Sequence, residues 1–167
     1  MTARVVGIDP SLSATGLAAA DGTLTTVGGD ARLGDRRLAL LADAVATAVA
    51  DAHLVVLEDL PTHAKSAGLT GRAQGVVRLA LINAGVPYVA VVPAALKRYA
   101  TGRGNAMKTD MRMELFKRTG LDLRDDNQCD AWWLRAAGLQ HLGQPAVQLP
   151  AAQVAVLDKV LWPEVTV

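Results

Sequence analysis

The chain has little with which to staple or anchor itself. Cys129 is the one cysteine among 167 residues, so no intramolecular disulfide can form, which fits a reducing compartment. Aromatic residues make up 4% of the chain, with a single Phe, so a core must be built mainly from aliphatic side chains. No apolar run approaches the roughly 20 residues that span a bilayer. No basic head followed by an apolar run and a cleavage site opens the sequence. These absences lead to the expectation of a cytoplasmic protein without membrane contact. There is no internal repeat, low-complexity tract or linker, so residues 1–167 are expected to form a single domain. The residues present, 51% hydrophobic and 20% charged, suit a folded chain with a buried core.

Net charge is only +1, but it is unevenly spread. From Leu60 to Gly120 there are ten basic residues and two acids, Asp110 and Glu114, a local net of +8. The remainder holds seven basic and fourteen acidic residues, a net of −7. A polyanion would meet the middle of the chain. Taken alone, the same cations read equally as solvated helix faces.

Arg4 to Asp9 (RVVGID) and Leu54 to Glu58 (LVVLE) are short, β-branched apolar runs, each ending on an acid. Both read as buried strands. Ala14 to Ala20 and Thr23 to Val27 read as two further strands joined at Asp21-Gly22, a hairpin signal. Asp35 to Ala52 has helical apolar spacing, Pro61 to Gly71 reads as a loop, and Arg72 to Ala84 as a helix closed by Gly85. Val86 to Val92 predicts a fifth strand, and Pro93 opens a short helix. Thr101 to Asn105 is a glycine-rich loop. Met107 to Arg118, Asp125 to Leu142 and Ala151 to Val160 read as helical. The pattern predicts an α/β fold: a mixed five-stranded sheet, with a three-strand antiparallel meander plus parallel strands, and helices on both faces.

A carboxylate at the end of a buried strand is costly unless it is paired or coordinated. Asp9 and Glu58 both sit at such positions, and parallel neighbouring strands would set them side by side. A third acidic group, Asp125-Asp126-Asn127-Gln128-Cys129-Asp130, opens the long helix. Asp126 and Asn127 lie four and three residues before Asp130, spacings that put oxygen-bearing side chains on one helical face. Such an all-oxygen set suits hard divalent cations, and a pair of them can activate a water and stabilise a departing 3′-oxygen. No Ser/His/Asp or Cys/His set offers a side-chain nucleophile instead. Each acid also has an ordinary reading. Asp125 or Asp126 can be a helix N-cap, Asp9 a turn residue, and one of Glu58 and Asp59 solvent-facing. His53 reads as structural and His141 as a helix-end residue. One of Trp132 and Trp133 reads as core, the other as core or dimer surface, since adjacent helical positions point about 100° apart.

In order along the chain, Val6-Gly7-Ile8-Asp9-Pro10-Ser11-Leu12-Ser13-Ala14-Thr15-Gly16, Leu57-Glu58, Gly71-Arg72-Ala73-Gln74-Gly75-Val76, Pro93-Ala94-Ala95-Leu96-Lys97, Ala100-Thr101-Gly102-Arg103-Gly104-Asn105-Ala106-Met107-Lys108 and Asp130-Ala131 resemble the motifs of RuvC-type Holliday junction resolvases, phage-type members among them. The resemblance covers roughly residues 4–141. It implies a ribonuclease H-like fold, a homodimer, and a Mg²⁺-dependent endonuclease that nicks a four-way DNA junction symmetrically. Two Mg²⁺ ions per site are implied, with Mn²⁺ as a substitute. The residues carried over as metal ligands are Asp9, Glu58 and Asp130. The family's fourth acid falls here on Asn127, with Asp126 the favoured replacement. Asp9, Glu58, Asp126, Asp130 and Lys108 are the expected catalytic residues. Lys97, Lys108, Arg72, Arg78, Arg103 and Arg112 are the expected DNA contacts. Gly102 and Gly104 would let the loop backbone approach DNA closely, or are an ordinary turn. The Pro61–Thr70 loop lacks the aromatic that some relatives use to wedge the junction open, leaving Leu69 or His63 as substitutes. Flap, fork or RNA–DNA hybrid cleavage, and junction binding without cleavage, are the competing expectations.

Overall fold

The computed structural model describes residues 2–60 and 67–167, and the side chain of residue 67 is not described. His63 and Lys65 lie outside the described residues. Strand β1 (Val5–Asp9) runs to the turn at Pro10, and β2 (Thr15–Ala18) and β3 (Leu24–Val27) follow as a hairpin. At the hairpin tip Gly22 takes φ +94°, and Thr23 N–H donates to Asp21 Oδ1 at 2.8 Å. Helix α1 (Arg36–Ala48), β4 (Leu54–Glu58), α2 (Ala67–Ala84) and β5 (Tyr88–Val91) come next. Helices α3 (Pro93–Thr101), α4 (Lys108–Thr119), α5 (Asp126–His141) and α6 (Ala151–Val154) complete the order, with 3-10 turns at Ala31–Leu33 and Ala155–Lys159.

The sheet order is β3-β2-β1-β4-β5. β1 pairs antiparallel with β2 and parallel with β4, and β4 pairs parallel with β5. β1 is central, which explains its unbroken apolar sequence: both of its faces are covered. Val6 and Ile8 pack with Leu41 and Val45 of α1 and with Ala73, Val77 and Leu81 of α2. Val5 packs on the other face with Trp133, Leu134 and Ala137 of α5, Leu96 and Tyr99 of α3, and Met111 and Leu115 of α4. The predicted mixed sheet with helices on both faces is therefore the observed one. Among the described residues no helix is long and apolar enough to cross a membrane.

Two expectations shift and one alternative closes. Residues 67–71, read as the end of a loop, already belong to α2 despite Gly68 and Gly71. A helical glycine costs only about 1 kcal/mol, less than the packing of the apolar face that follows can supply. The single last helix predicted from Ala151 to Val160 divides into α6 and a 3-10 turn. Both Trp132 and Trp133 are core residues, their rings 5.0 Å apart and edge-to-face. α5 is surrounded by protein on nearly all sides, so neither tryptophan reaches the surface.

Helix α5 lies unusually close to the sheet, because two strand residues beneath it have no side chain. A Cβ on Gly7 would stand 2.0 Å from the Ala131 carbonyl oxygen, and one on Gly16 would stand 2.0 Å from that of Asn127. The N-terminal half of α5 is thus seated directly on the backbones of β1 and β2.

Candidate active site

Strand alternation decides where the acids point. Val5, Leu54 and Val56 face the α5 side, so Asp9 and Glu58 face it too. The parallel register pairs Ile8 with Leu57, which brings the next residues, Asp9 and Glu58, to one end of the sheet. The seat on Gly7 places Ala131 above β1, and Asp130 precedes it. Residues separated by more than 120 positions in sequence meet in this way.

The three carboxyls press on one another. Asp9 is raised well above the usual carboxylate range by burial first and then by the negative charge of Asp130. Glu58 is raised by burial, then by Asp9 and Asp130, and it hydrogen-bonds Asp9. Burial is also the largest cause for Asp130, whose pKa rises to about 6 while Lys108 and Lys97 pull it down. Lys108 acts likewise on Asp9, and Lys97 on Glu58. Two lysines thus flank a pocket of excess negative charge. Among the described residues no three His, Cys, Asp or Glu side chains form a ready-made cage for a metal ion. Asp9 and Glu58 engage each other instead, and both are pushed upward by burial and by the neighbouring negative charge.

The other acids of the helix start divide their roles. Asp125 is the N-cap of α5, its Oδ1 accepting from Asn127 N–H at 2.8 Å. The Thr26 hydroxyl bonds the same carboxylate and is the main cause holding it below the ordinary range. Asp126 faces α4: Lys108 Nζ lies 3.5 Å from its Oδ2 and Arg112 Nη1 3.8 Å from its Oδ1. That Oδ1 is buried without a hydrogen bond. Asn127 engages the Asp125 cap through its backbone N–H.

The remaining cations expected at the site are distributed around it. Arg103 pairs with Asp110 at 3.2 Å and Arg72 with Asp35 at 3.8 Å, both pairs at the surface. Arg78 is turned inward, donating to Asp59 Oδ1 at 3.1 Å beside the Tyr88 ring. Gly102 takes φ +81° as the αL cap of α3, so the glycine loop begins as a helix stop. Leu69, considered as a wedge, is 53% exposed on α2.

Sequence reasoning assigned no role to Gln74 and Thr15. Gln74 is buried, donates through Nε2 to the Glu58 carbonyl, and accepts from Arg78 Nε at 3.3 Å. Together they brace the end of β4 that carries Glu58. Thr15 is fully buried and receives Ser11 N–H at 3.0 Å, fastening the turn behind Asp9. The sequence signal for Gln74 is an amide within a helical apolar face, which needs a partner once buried.

Raised acid pKa values have a testable consequence. The native state holds protons that the unfolded chain has already released. The contribution of these three groups is therefore greatest below the unfolded carboxylate range and falls as pH rises through the native values. In EDTA the melting temperature should fall between about pH 5 and about pH 8. The double variant Asp130→Asn, Glu58→Gln should show a flatter profile. A flat wild-type profile would remove the case for a strained carboxyl cluster.

No family model matches the chain. Similar proteins include the crossover junction endodeoxyribonuclease RuvC of Halorhodospira halophila, 32% identical over 161 residues, covering 89% of this chain and 95% of that protein. The RuvC of Nitratidesulfovibrio vulgaris is 33% identical over 153 residues, covering 84% and 90% respectively. That of Delftia acidovorans is 32% identical over 126 residues, covering 65% and 68%. Among solved structures, Thermus thermophilus RuvC matches with TM-score 0.68 and 23% identity over 86% of this chain and 99% of that one. The same protein in complex with Holliday junction substrate matches with TM-score 0.70 and 23% identity, covering 86% and 98%. With full-length relatives above 30% identity and the same ribonuclease H-like architecture, the chain belongs to the RuvC family of crossover junction endodeoxyribonucleases.

Proposed function

We propose that the chain resolves four-way DNA junctions by paired, symmetric hydrolysis of phosphodiester bonds, acting as a homodimer with two Mg²⁺ ions in each site. The observation that carries this reading is the meeting of Asp9, Glu58 and Asp130 at one end of the sheet. Their chemistry fits hard cations: the donors are all oxygens, they are largely withdrawn from water, and the two nearby lysines do not offset their repulsion. When bound, the ions supply a water activated for attack and charge stabilisation at the leaving oxygen.

The chain's own residues do the rest. Asp9, Glu58 and Asp130 would hold the ions from three separate elements, and cations there would offset the repulsion that raises all three carboxyls. Asp126 is the proposed fourth oxygen donor in preference to Asn127. Its Oδ1 is buried and unbonded, and its charge raises the pKa of Asp130. Lys108 and Lys97 flank the acids and place positive charge where a scissile phosphate would lie. Arg72, Arg103 and Arg112 extend that charge along the DNA path, with Arg78 behind them. Exposed pairs such as Arg72–Asp35 and Arg103–Asp110 are worth about 0–1 kcal/mol, so a phosphate can displace the acid.

The deciding experiment compares a labelled mobile four-way junction with linear duplex, a flap and an RNA–DNA hybrid, with Mg²⁺ and with EDTA. Symmetric nicks confined to the junction and to Mg²⁺ are expected. Junction binding without nicks would leave a binding protein. Preferred cleavage of another branched substrate would move the specificity.

A further inference from the structure

β5 is an edge strand, and its outer side is set up to receive another strand. Val55 N–H donates to the Pro87 carbonyl and Asp59 N–H to that of Val91, each at 2.9 Å. The odd-numbered residues of this segment therefore turn their backbone groups toward β4, and Tyr88 and Ala90 turn theirs outward. Among the described residues those outward groups have no hydrogen-bond partner.

The strand reads YVAV, without the charge, proline or bulge that normally blunts an edge. The opposite edge differs. β3 reads LTTV, and its Thr26 is engaged by Asp125 and Gln128 of α5.

The outer side of β5 is also the floor of a cavity of about 600 Å³. Ala94 and Ala95 of α3 form one wall, and Val160 and Leu161 after the last 3-10 turn form the other. Leu161 is 93% exposed, an apolar side chain at the lip of an apolar trough. The charged residues lining it are Arg78, Arg98 and Lys159, with no acid among the lining residues. Arg78 is neutralised by Asp59. Arg98 and Lys159 have no ion-pair partner among the described residues. Arg98 also points away from the carboxyl cluster, since its neighbour Lys97 is the one that acts there.

We propose that this trough binds an extended acidic peptide segment of a partner protein, which adds to the sheet as a sixth strand beside β5. Backbone bonds to Tyr88 and Ala90 would supply affinity, the apolar walls would accept alternate side chains, and Arg98 and Lys159 would select acidic ones. A nucleic acid is disfavoured by the apolar floor and by backbone groups spaced for a strand. A second copy of the chain is disfavoured because YVAV carries no acid to meet the two cations.

The test is a selection from a phage-displayed random peptide library against the full-length protein, followed by fluorescence anisotropy on the enriched peptides. Two variants serve as comparisons. Ala90→Pro removes an outward N–H that β4 does not use, and the double variant Arg98→Glu, Lys159→Glu reverses the rim. Expected are acidic peptides with alternating apolar residues, at least about tenfold weaker on either variant, while junction cleavage is unchanged. Should Ala90→Pro fail to fold, the charge-reversal variant alone decides. The proposal is overturned by no enrichment over the charge-reversal variant, or by enriched peptides indifferent to both changes. It is equally overturned if the charge reversal weakens junction binding and no peptide, or if light scattering shows that the trough joins two copies of the chain.

Discussion

Asp9→Asn, Glu58→Gln and Asp130→Asn should each lower the single-turnover rate of junction cleavage by roughly a thousandfold or more, about 4 kcal/mol of lost transition-state stabilisation. Junction affinity should change little, because Lys97, Lys108 and the arginines remain. The same substitutions should leave the metal-free protein as stable as wild type or more so. Each removes one member of a set whose ionised forms repel one another in a site largely closed to water. The combination is diagnostic. A residue kept for structure loses stability when it is neutralised, whereas one kept for charge loses function and gains stability. Cleavage kinetics, gel-shift affinity and thermal melting on the same preparations read all three quantities. Wild-type cleavage by any one variant would release that acid from the reaction. Unfolding of all three would return the cluster to an architectural role.

Asp126→Asn separates the fourth donor from the other three. Its carboxylate is shared with Lys108 and Arg112, so neutralising it also frees two cations beside the acids. A smaller cleavage loss than for Asp130→Asn is the expected order.

What could be read ahead of the structure was local chemistry, and what could not was which backbone touches which. VVGID and LVVLE show their strands and their terminal acids because a buried strand has few reasons to end on a carboxylate. Asp21-Gly22 marks its hairpin because the turn needs a residue at positive φ. The start of α2 was obscured because Gly68 and Gly71 weigh against a helix in isolation, and only the packing of Ala73, Val77 and Leu81 outweighs them. At the site, spacing alone left Asp126 and Asn127 undivided as partners of Asp130, and Asp125 and Asp126 undivided as the cap. Thr26, on a strand about a hundred residues earlier, makes Asp125 the cap, and α4 takes up Asp126. Gln74 is a similar case. An amide on an apolar helical face signals that a partner is needed, but which one, the carbonyl of Glu58, is set by a segment the local pattern does not include.

Gly7→Ala should be, with Gly16→Ala, among the most disruptive single-methyl changes at the described glycines. The added carbon would lie 2.0 Å from the Ala131 carbonyl oxygen and 2.6 Å from the Arg135 amide nitrogen, against the ~3.5 Å of ordinary carbon contacts. Both obstacles are backbone atoms of one helix, so no rotamer change relieves them, and α5 must lift from β1. Overpacking of this kind costs about 1–3 kcal/mol where side chains can adjust, and more where they cannot. That is a large part of a typical 5–15 kcal/mol total. Whatever fraction folds carries a second defect. Asp130 precedes Ala131, so lifting the helix draws this carboxyl away from Asp9 and Glu58, and a displacement of about 1 Å can cost a hundredfold in rate. Cleavage per folded molecule, measured well below the melting transition, should therefore fall by about two orders of magnitude, together with a clear loss in melting temperature. Gly22→Ala is the control. Gly22 has φ +94° but nothing within 4 Å of an added Cβ, so the cost is backbone strain of about 1 kcal/mol at a hairpin far from the acids. Its folded fraction should cleave at the wild-type rate. If Gly7→Ala behaved like Gly22→Ala, losing stability but not turnover, the close seating of α5 would be a packing feature with no part in assembling the three acids.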